Sequence, residues 1–305
     1  MKVIFYILLH SFIFIPSVSY AQLGLIHLNK ILNKEWYLSY KYIYDNNFTS
    51  SSNQATQGSS FVDIKNSLKI EYGVKLNSKS QFTTNVSIIN SKQDQISNTQ
   101  NKTHYATGVQ EPIFTYTYYK KFEIKEGNGI DKINFFIQPS LFDKKIRTKN
   151  ANNAVGKHSL GFEVSTSAIY ERWESRLQFS YKHYFHGRIK NIESNQTYTS
   201  NPYYSLLLGP EFQYRINDKL FLYSKSGLSL IHDQNINNNS SNTSELIQFG
   251  TGAFIDIGIK YNYKNAIWNI CFNRMKNDYS VQSENNNFSG KLNQRSFTLE
   301  YIRLY

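Results

Sequence analysis

Twelve stretches of period-two alternation run through this chain, and the connections between them are long and short in strict turn. The alternating stretches cover about 35–45, 61–76, 80–90, 109–124, 132–142, 158–171, 175–187, 202–216, 219–231, 246–262, 266–275 and 292–305. Six connections, "NNFTSSSNQATQGSS" and "HDQNINNNSSNTSE" among them, hold about fourteen residues each. Between them come five short turns, "NSKS", "EGNG", "ERWE", "NDK" and "YKN". Strict alternation places every long loop at one end of the strands, and every tight turn with both chain ends at the other.

Few folds accommodate that rhythm. The chain is expected to be all-β, a transmembrane antiparallel up-and-down β-barrel of about 12 strands with both termini periplasmic. In hydrocarbon every backbone N–H and C=O needs an internal partner, so a sheet spans a membrane only if it closes. The final segment, "SFTLEYIRLY", is therefore expected to pair with "EWYLSYKYIY". A soluble sandwich would need two inner faces that meet, and it gives no reason for the loop lengths to alternate.

The faces of the strands agree. Ile64, Leu68, Ile70, Tyr72, Val74 and Leu76 share one side of the second stretch, opposite Asp63, Lys65, Ser67, Lys69, Glu71, Gly73 and Lys75. The apolar side is expected to meet lipid, because Lys or Arg on the lipid face costs about 2–4 kcal/mol near the midplane. Trp36, Trp173 and Trp268 all fall at the tight-turn end, as an interfacial aromatic girdle requires.

Composition supports the same class. Mean hydropathy is −0.50, yet aromatics make up 16% of the chain. Cys271 is the lone cysteine, so disulfides do not carry the stability. Residues 1–21 read as a secretory signal peptide, with Lys2, an apolar run and small residues before Gln22. Residues 22–33 have Leu25, Leu28 and Leu32 at near-helical spacing, a short periplasmic helix or a plug, and 34–305 form the barrel.

This pattern resembles a Gram-negative outer-membrane protein across residues 1–305. The resemblance implies that Phe297, Leu299, Tyr301 and Tyr305 form the terminal signal read by the barrel-assembly machinery, with Arg303 departing from the aromatic series. "ATGVQEP" followed by "IFTYTYY", and "GKHSLGFEVSTSAIYE", resemble outer-membrane transporters of the phenol meta-cleavage pathway.

The lumen is where function is expected. Glu163 and Lys182 lie at mirror positions about "ERWE", and Glu211 and Lys225 oppose each other if the next turn has three loop residues. Asp256 and Glu300 add inner acids, with Lys41 and Arg176 as bases. These eight residues define a candidate constriction, or a belt that only keeps a polar interior satisfied. Twelve strands imply a narrow bore.

The net charge of +12 resides largely outside this belt. Lys144, Lys145, Arg147 and Lys149 crowd the third long loop, where they would hold lipopolysaccharide phosphates or draw anions to the mouth. No nucleic-acid recognition fold accompanies the charge. Catalysis is not expected: no mature histidine has serine two positions on, and His183 and His186, three apart, would face opposite sides with His186 and Tyr184 inward. No metal or cofactor is called for. The expected function is a channel or transporter for small solutes. The alternatives are a surface barrel acting through its loops and, third, an outer-membrane lipid hydrolase.

Overall fold

The computed structural model describes residues 34–305, apart from 54–55, 97–100, 125–126, 142–143, 147–155, 192–194, 240, 242 and 284–285. The expected signal peptide and the 22–33 segment lie outside the described residues. Sixteen strands follow in order. They are β1 (Trp36–Asn53), β2 (Thr56–Asn77), β3 (Ser80–Ile96), β4 (Asn101–Ile124), β5 (Gly127–Gln138), β6 (Lys144–Ile146), β7 (Lys157–Tyr170) and β8 (Trp173–Asn191). Then come β9 (Gln196–Ser200), β10 (Tyr203–Arg215), β11 (Leu220–Ile231), β12 (Gln234–Asn238), β13 (Thr243–Phe249), β14 (Gly252–Tyr263), β15 (Ala266–Ser283) and β16 (Asn286–Leu304).

These make twelve staves. β9 continues into β10, β11 into β12 and β13 into β14, while β6 stands outside the count. Each stave pairs antiparallel with its neighbours, and β1 pairs with β16 from Tyr37↔Leu304 to Ser52↔Ser289. The cylinder is closed, so the backbone's polar groups are paired within the wall and no sheet edge faces lipid.

The expected tight turns are present and set the register. Glu171 and Arg172 alone join β7 to β8, and Lys264 and Asn265 alone join β14 to β15. Glu171 (φ 44°) and Lys264 (φ 48°) take the left-handed conformation that suits two-residue hairpin turns to the twist of their strands. The long connections differ from expectation. β1 and β2 extend as a ladder to Asn53↔Thr56, well past the residues whose alternation shows in the sequence. Asn-, Ser- and Gln-rich strands form the same backbone ladder but carry no apolar residues to report it.

The tenth stretch is interrupted. Gly250 and Thr251 separate β13 from β14, and the register against β15 steps by one residue across the break, from Phe249↔Tyr279 to Ala253↔Lys276. The inward parity also changes on β8, beyond two intervening staves, where Phe185 and His186 are both exposed. His186 therefore does not face inward as its spacing suggests. A bulge between Lys157 and Ser159 on the facing strand accompanies the shift.

The ladder is also interrupted between β10 and β11. The β10–β11 ladder omits Gly209 and Pro210 opposite Ser226 and Gly227. Proline offers no N–H, and a Cβ on Gly209 or Gly227 would run into the facing strand's Ser226 or Leu208 carbonyl. The close backbone approach requires glycine on both sides.

Outside, the barrel is apolar. Leu68 (41% exposed), Ile255 (45%) and Ile257 (56%) project from it, whereas Lys182 is 3% exposed inside. A band of this kind around a closed barrel is a lipid-facing surface. At the short-turn rim Trp36 stacks on Tyr305 with centroids 3.7 Å apart, and Trp173 and Trp268 lie 4.6 Å from Tyr214 and Tyr301. The tryptophan girdle expected from spacing is in place.

Candidate functional site: a layered lumen

From the short-turn end upward, the inward side chains form distinct layers. The floor is apolar. Tyr37, Ile267, Ile302 and Leu304 pack together there, and Tyr119 packs with Ile130. The phenols point up to the next layer, Tyr37 donating to Glu71 Oε1 (2.8 Å) and Tyr119 to Gln81 Oε1 (3.0 Å).

Above the floor lies a belt of charge. Its bases are Lys41, Lys69, Lys132, Arg176 and Lys260, and its acids are Glu71, Glu163, Glu174, Glu211 and Glu300. Arg176 is the hub, reaching Glu174 at 3.3 Å and Glu211 at 3.4 Å. Lys260 joins Glu211 at 3.7 Å and donates to Gln213 Oε1 at 3.1 Å. Lys132 pairs with Glu163 (3.7 Å), which also accepts from Asn134 at 3.1 Å. Lys132 also lies within electrostatic reach of Glu71 and Glu211, so the belt extends across the lumen as well as along the wall. Lys69 pairs with Glu71 at 3.4 Å. Glu300 is the Cα partner of Lys41 and accepts from Ser39 and Asn269, each at 3.1 Å. Buried charges persist when paired and hydrogen-bonded, and the equal numbers of acids and bases keep this belt close to neutral.

All eight expected lumen residues are inside, but their pairing differs in part. Glu211 and Lys225 are direct cross-strand partners, as expected. Glu163 and Lys182 are not. The two-residue turn sets Glu163 opposite Ser180 and Lys182 opposite Gly161. Lys182 then lies in a higher layer than Glu163's ion pair. Lys132, Glu174 and Lys260 are not among those eight, nor are Lys69 and Glu71, which the alternation of the second stretch puts on its polar side. Period two would have found two of the first three, since Glu174 lies two positions from Arg176 and Lys260 four from Asp256.

Above the belt is a cavity of about 100 Å³. Phe136, Leu207, Phe254 and Met275 give it an apolar wall, and Ser180 and Ser205 face it with hydroxyls. Lys225, Asp256 and Lys182 line it too. Lys225 and Asp256 are Cα partners, and Asp256 accepts a hydrogen bond from Asn273.

Lys182, at the cavity wall, belongs to a shelf of cations on aromatic rings. Tyr184 and Tyr203 stack with centroids 4.5 Å apart. Lys157 Nζ lies 4.4 Å from the Tyr203 centroid and donates to its hydroxyl at 3.3 Å. Lys182 Nζ lies 4.7 Å from the Tyr184 centroid and 6.0 Å from that of Phe136. Such contacts contribute about 2 kcal/mol when desolvated. Beyond the shelf the extended strands enclose Ile189, Tyr198, Ile236, Ile247 and Val281, all fully buried.

The third long connection reaches this upper interior. β6 runs parallel to β8, with Lys144↔Ile189, in the place that β7 leaves open above Lys157. Lys144 is 8% exposed, with Asp63, Lys65 and Glu111 as its electrostatic neighbours. This corrects its expected role as a lipopolysaccharide contact: pairing of β6 with the wall turns the side chain inside. The side chains of Lys145, Arg147 and Lys149 lie outside the described residues.

Phe297, Leu299 and Tyr301 point outward on β16, with Tyr305 beyond its end on the same side. Of the histidines, His158 Nδ1 accepts from the Ser140 backbone N–H at 3.0 Å. Among the described residues no three His, Cys, Asp or Glu groups could hold a metal ion.

No protein-family model and no curated protein matches the chain. Solved structures do. The fold is similar to that of the COG4313 outer membrane channel from Pseudomonas putida F1, at a TM-score of 0.58 and 8% identity, covering 89% of this chain and 96% of that one. The Pseudomonas putida toluene transporter TodX aligns at 0.44 and 7% identity, covering 89% and 90%. The transport unit of the autotransporter AIDA-I from Escherichia coli aligns at 0.47 and 10%, covering 99% and 96%. The chain is thus an outer-membrane β-barrel in fold.

Proposed function

We propose that this barrel is a gated outer-membrane channel or transporter for small solutes, closed at rest by its own side chains. The observation that carries this reading is the cavity in the lumen above the charge belt, lined by Lys182, Lys225 and Asp256. A purely structural barrel has no need for a void there, since side chains can fill so narrow an interior. The belt on the periplasmic side is the constriction, and its balanced charges make it able to part and re-pair without leaving a lone ion buried.

The test is reconstitution. Planar bilayers containing the folded protein should show brief conductance steps rather than a steadily open pore, and Glu163→Gln and Arg176→Gln should each alter step size or ion selectivity. Steps that both substitutions leave unchanged would remove the belt as the gate. Silence in bilayers together with impermeable proteoliposomes would overturn the transport reading.

A second reading has its own support. β4 is 24 residues long, while about 9–11 suffice to cross the membrane. So tall an extracellular wall suits a surface barrel that binds partners or lipopolysaccharide, and silence in bilayers would favour it. The protein is proposed to be non-enzymatic, and hydrolysis of phospholipid or lipid A by the purified barrel would refute that. The outward series on β16 is proposed as the assembly signal.

A further inference from the structure

We propose that the mid-barrel cavity binds a small organic monoanion with an apolar body, an aromatic or branched-chain carboxylate. The inference rests on the transport reading for its purpose, but on the cavity alone for its chemistry.

Size comes first. At about 100 Å³ the cavity is of the order of an engineered apolar cavity of about 150 Å³ that admits benzene. A single ring or a short branched chain is the upper limit.

The wall sets the body of the ligand. Phe136, Leu207, Phe254 and Met275 come from β5, β10, β14 and β15, so four separate staves each add to the cavity's apolar lining. An inorganic anion would leave that lining without a partner. The hydroxyls of Ser180 and Ser205 occupy the same cavity, next to Lys182 on β8 and across from it on β10.

Charge sets the head group. Lys225 and Asp256 face each other and offset one another. Lys182 is left as the surplus cation. It is 3% exposed, and its ammonium donates to Gln138 Oε1 at 3.3 Å. Among the described residues no carboxylate lies within ion-pair distance of it. A desolvated ammonium held by one amide oxygen and two ring faces is poorly compensated, and an incoming carboxylate supplies the missing charge through a charge-assisted hydrogen bond. Ser205 is the Cα partner of Lys182 and lines the same cavity, and its hydroxyl, which hydrogen-bonds Tyr184, could turn to the second carboxylate oxygen. A neutral hydrocarbon would satisfy the wall and leave Lys182 as it is.

The experiment is equilibrium dialysis on the full-length barrel folded in detergent, with benzoate, toluene and acetate as probes. Benzoate should bind saturably at one site. Toluene, with the ring and no charge, and acetate, with the charge and no ring, should each bind about tenfold more weakly or worse. Lys182→Met should abolish the preference for benzoate over toluene. Phe254→Ala should weaken both ring compounds. Folding of each variant is verified by heat-modifiable gel migration. Absence of saturable benzoate binding, or benzoate binding unchanged in Lys182→Met, would overturn the inference. Binding without flux in proteoliposomes would remove the transport reading and leave the site. Flux with no benzoate binding would do the reverse.

Discussion

Glu211 and Lys225 stand opposite each other across the β10–β11 hairpin, yet Glu211 forms its ion pairs with Arg176 at 3.4 Å and Lys260 at 3.7 Å. Lys225 instead places its ammonium 5.2 Å from the Phe254 centroid. Glu211 has two cross-strand partners, Arg176 on β8 and Lys225 on β11, and only the first is within ion-pair distance.

Glu211 should therefore matter more to stability than Lys225. Glu211→Gln leaves Arg176 and Lys260 undercompensated, and removing one partner of a buried pair costs about 3–5 kcal/mol. Lys225→Met should cost less than Glu211→Gln. Urea unfolding of both variants in lipid vesicles measures the difference, and equal losses would contradict the network described for Arg176.

The apolar exterior gives an expectation opposite to that for a soluble protein. Ile257 is 56% exposed, and on a water-facing surface Ile257→Lys would be nearly neutral. Facing lipid, it should cost about 2–4 kcal/mol if near the midplane. Folding titrations into vesicles, set against Tyr105→Lys towards the long-loop end (64% exposed), provide the comparison.

Close packing of the wall predicts a penalty at Gly161. A Cβ there would meet the Tyr181 carbonyl and the Phe136 ring. Gly161→Ala should destabilise by about 1–3 kcal/mol through strain, and the displaced Phe136 should disturb the cavity. A stability change below the error of the unfolding curve would show that the wall yields freely.

The docking of β6 should respond to pH. Burial, with Lys65 nearby, pushes the Lys144 ammonium down to about 7, although Glu111 and Asp63 pull the other way. Between about 7 and the ordinary lysine range, the undocked segment holds a proton that the docked one lacks. Docking should strengthen as pH rises through that window and weaken as pH falls toward 7. Amide protection at residues 144–146, corrected for intrinsic exchange, reads this directly. Lys144→Met should flatten the response.

Much of the architecture was legible in the chain. Alternating apolar and polar residues on strands such as 61–76, combined with alternating loop lengths, imply a closed barrel with its polar side inward, because no other arrangement satisfies the backbone in lipid. The inward placement of Lys41, Arg176, Asp256 and Glu300 followed from parity alone. Parity is a local property and survives as long as the strand is regular.

Pairing was not local. A two-residue turn at Glu171–Arg172 shifted Glu163 away from Lys182, and a bulge beside Lys157 left His186 outside. The polar outer strands, the inward turn of Lys144 and the cavity above the belt depend on contacts among staves far apart in sequence. The amino-acid order therefore determined the closed, lipid-facing barrel and which residues look inward. Only the tertiary structure decided which of them meet, since one residue of register moves every cross-strand partner and no spacing in the chain records it.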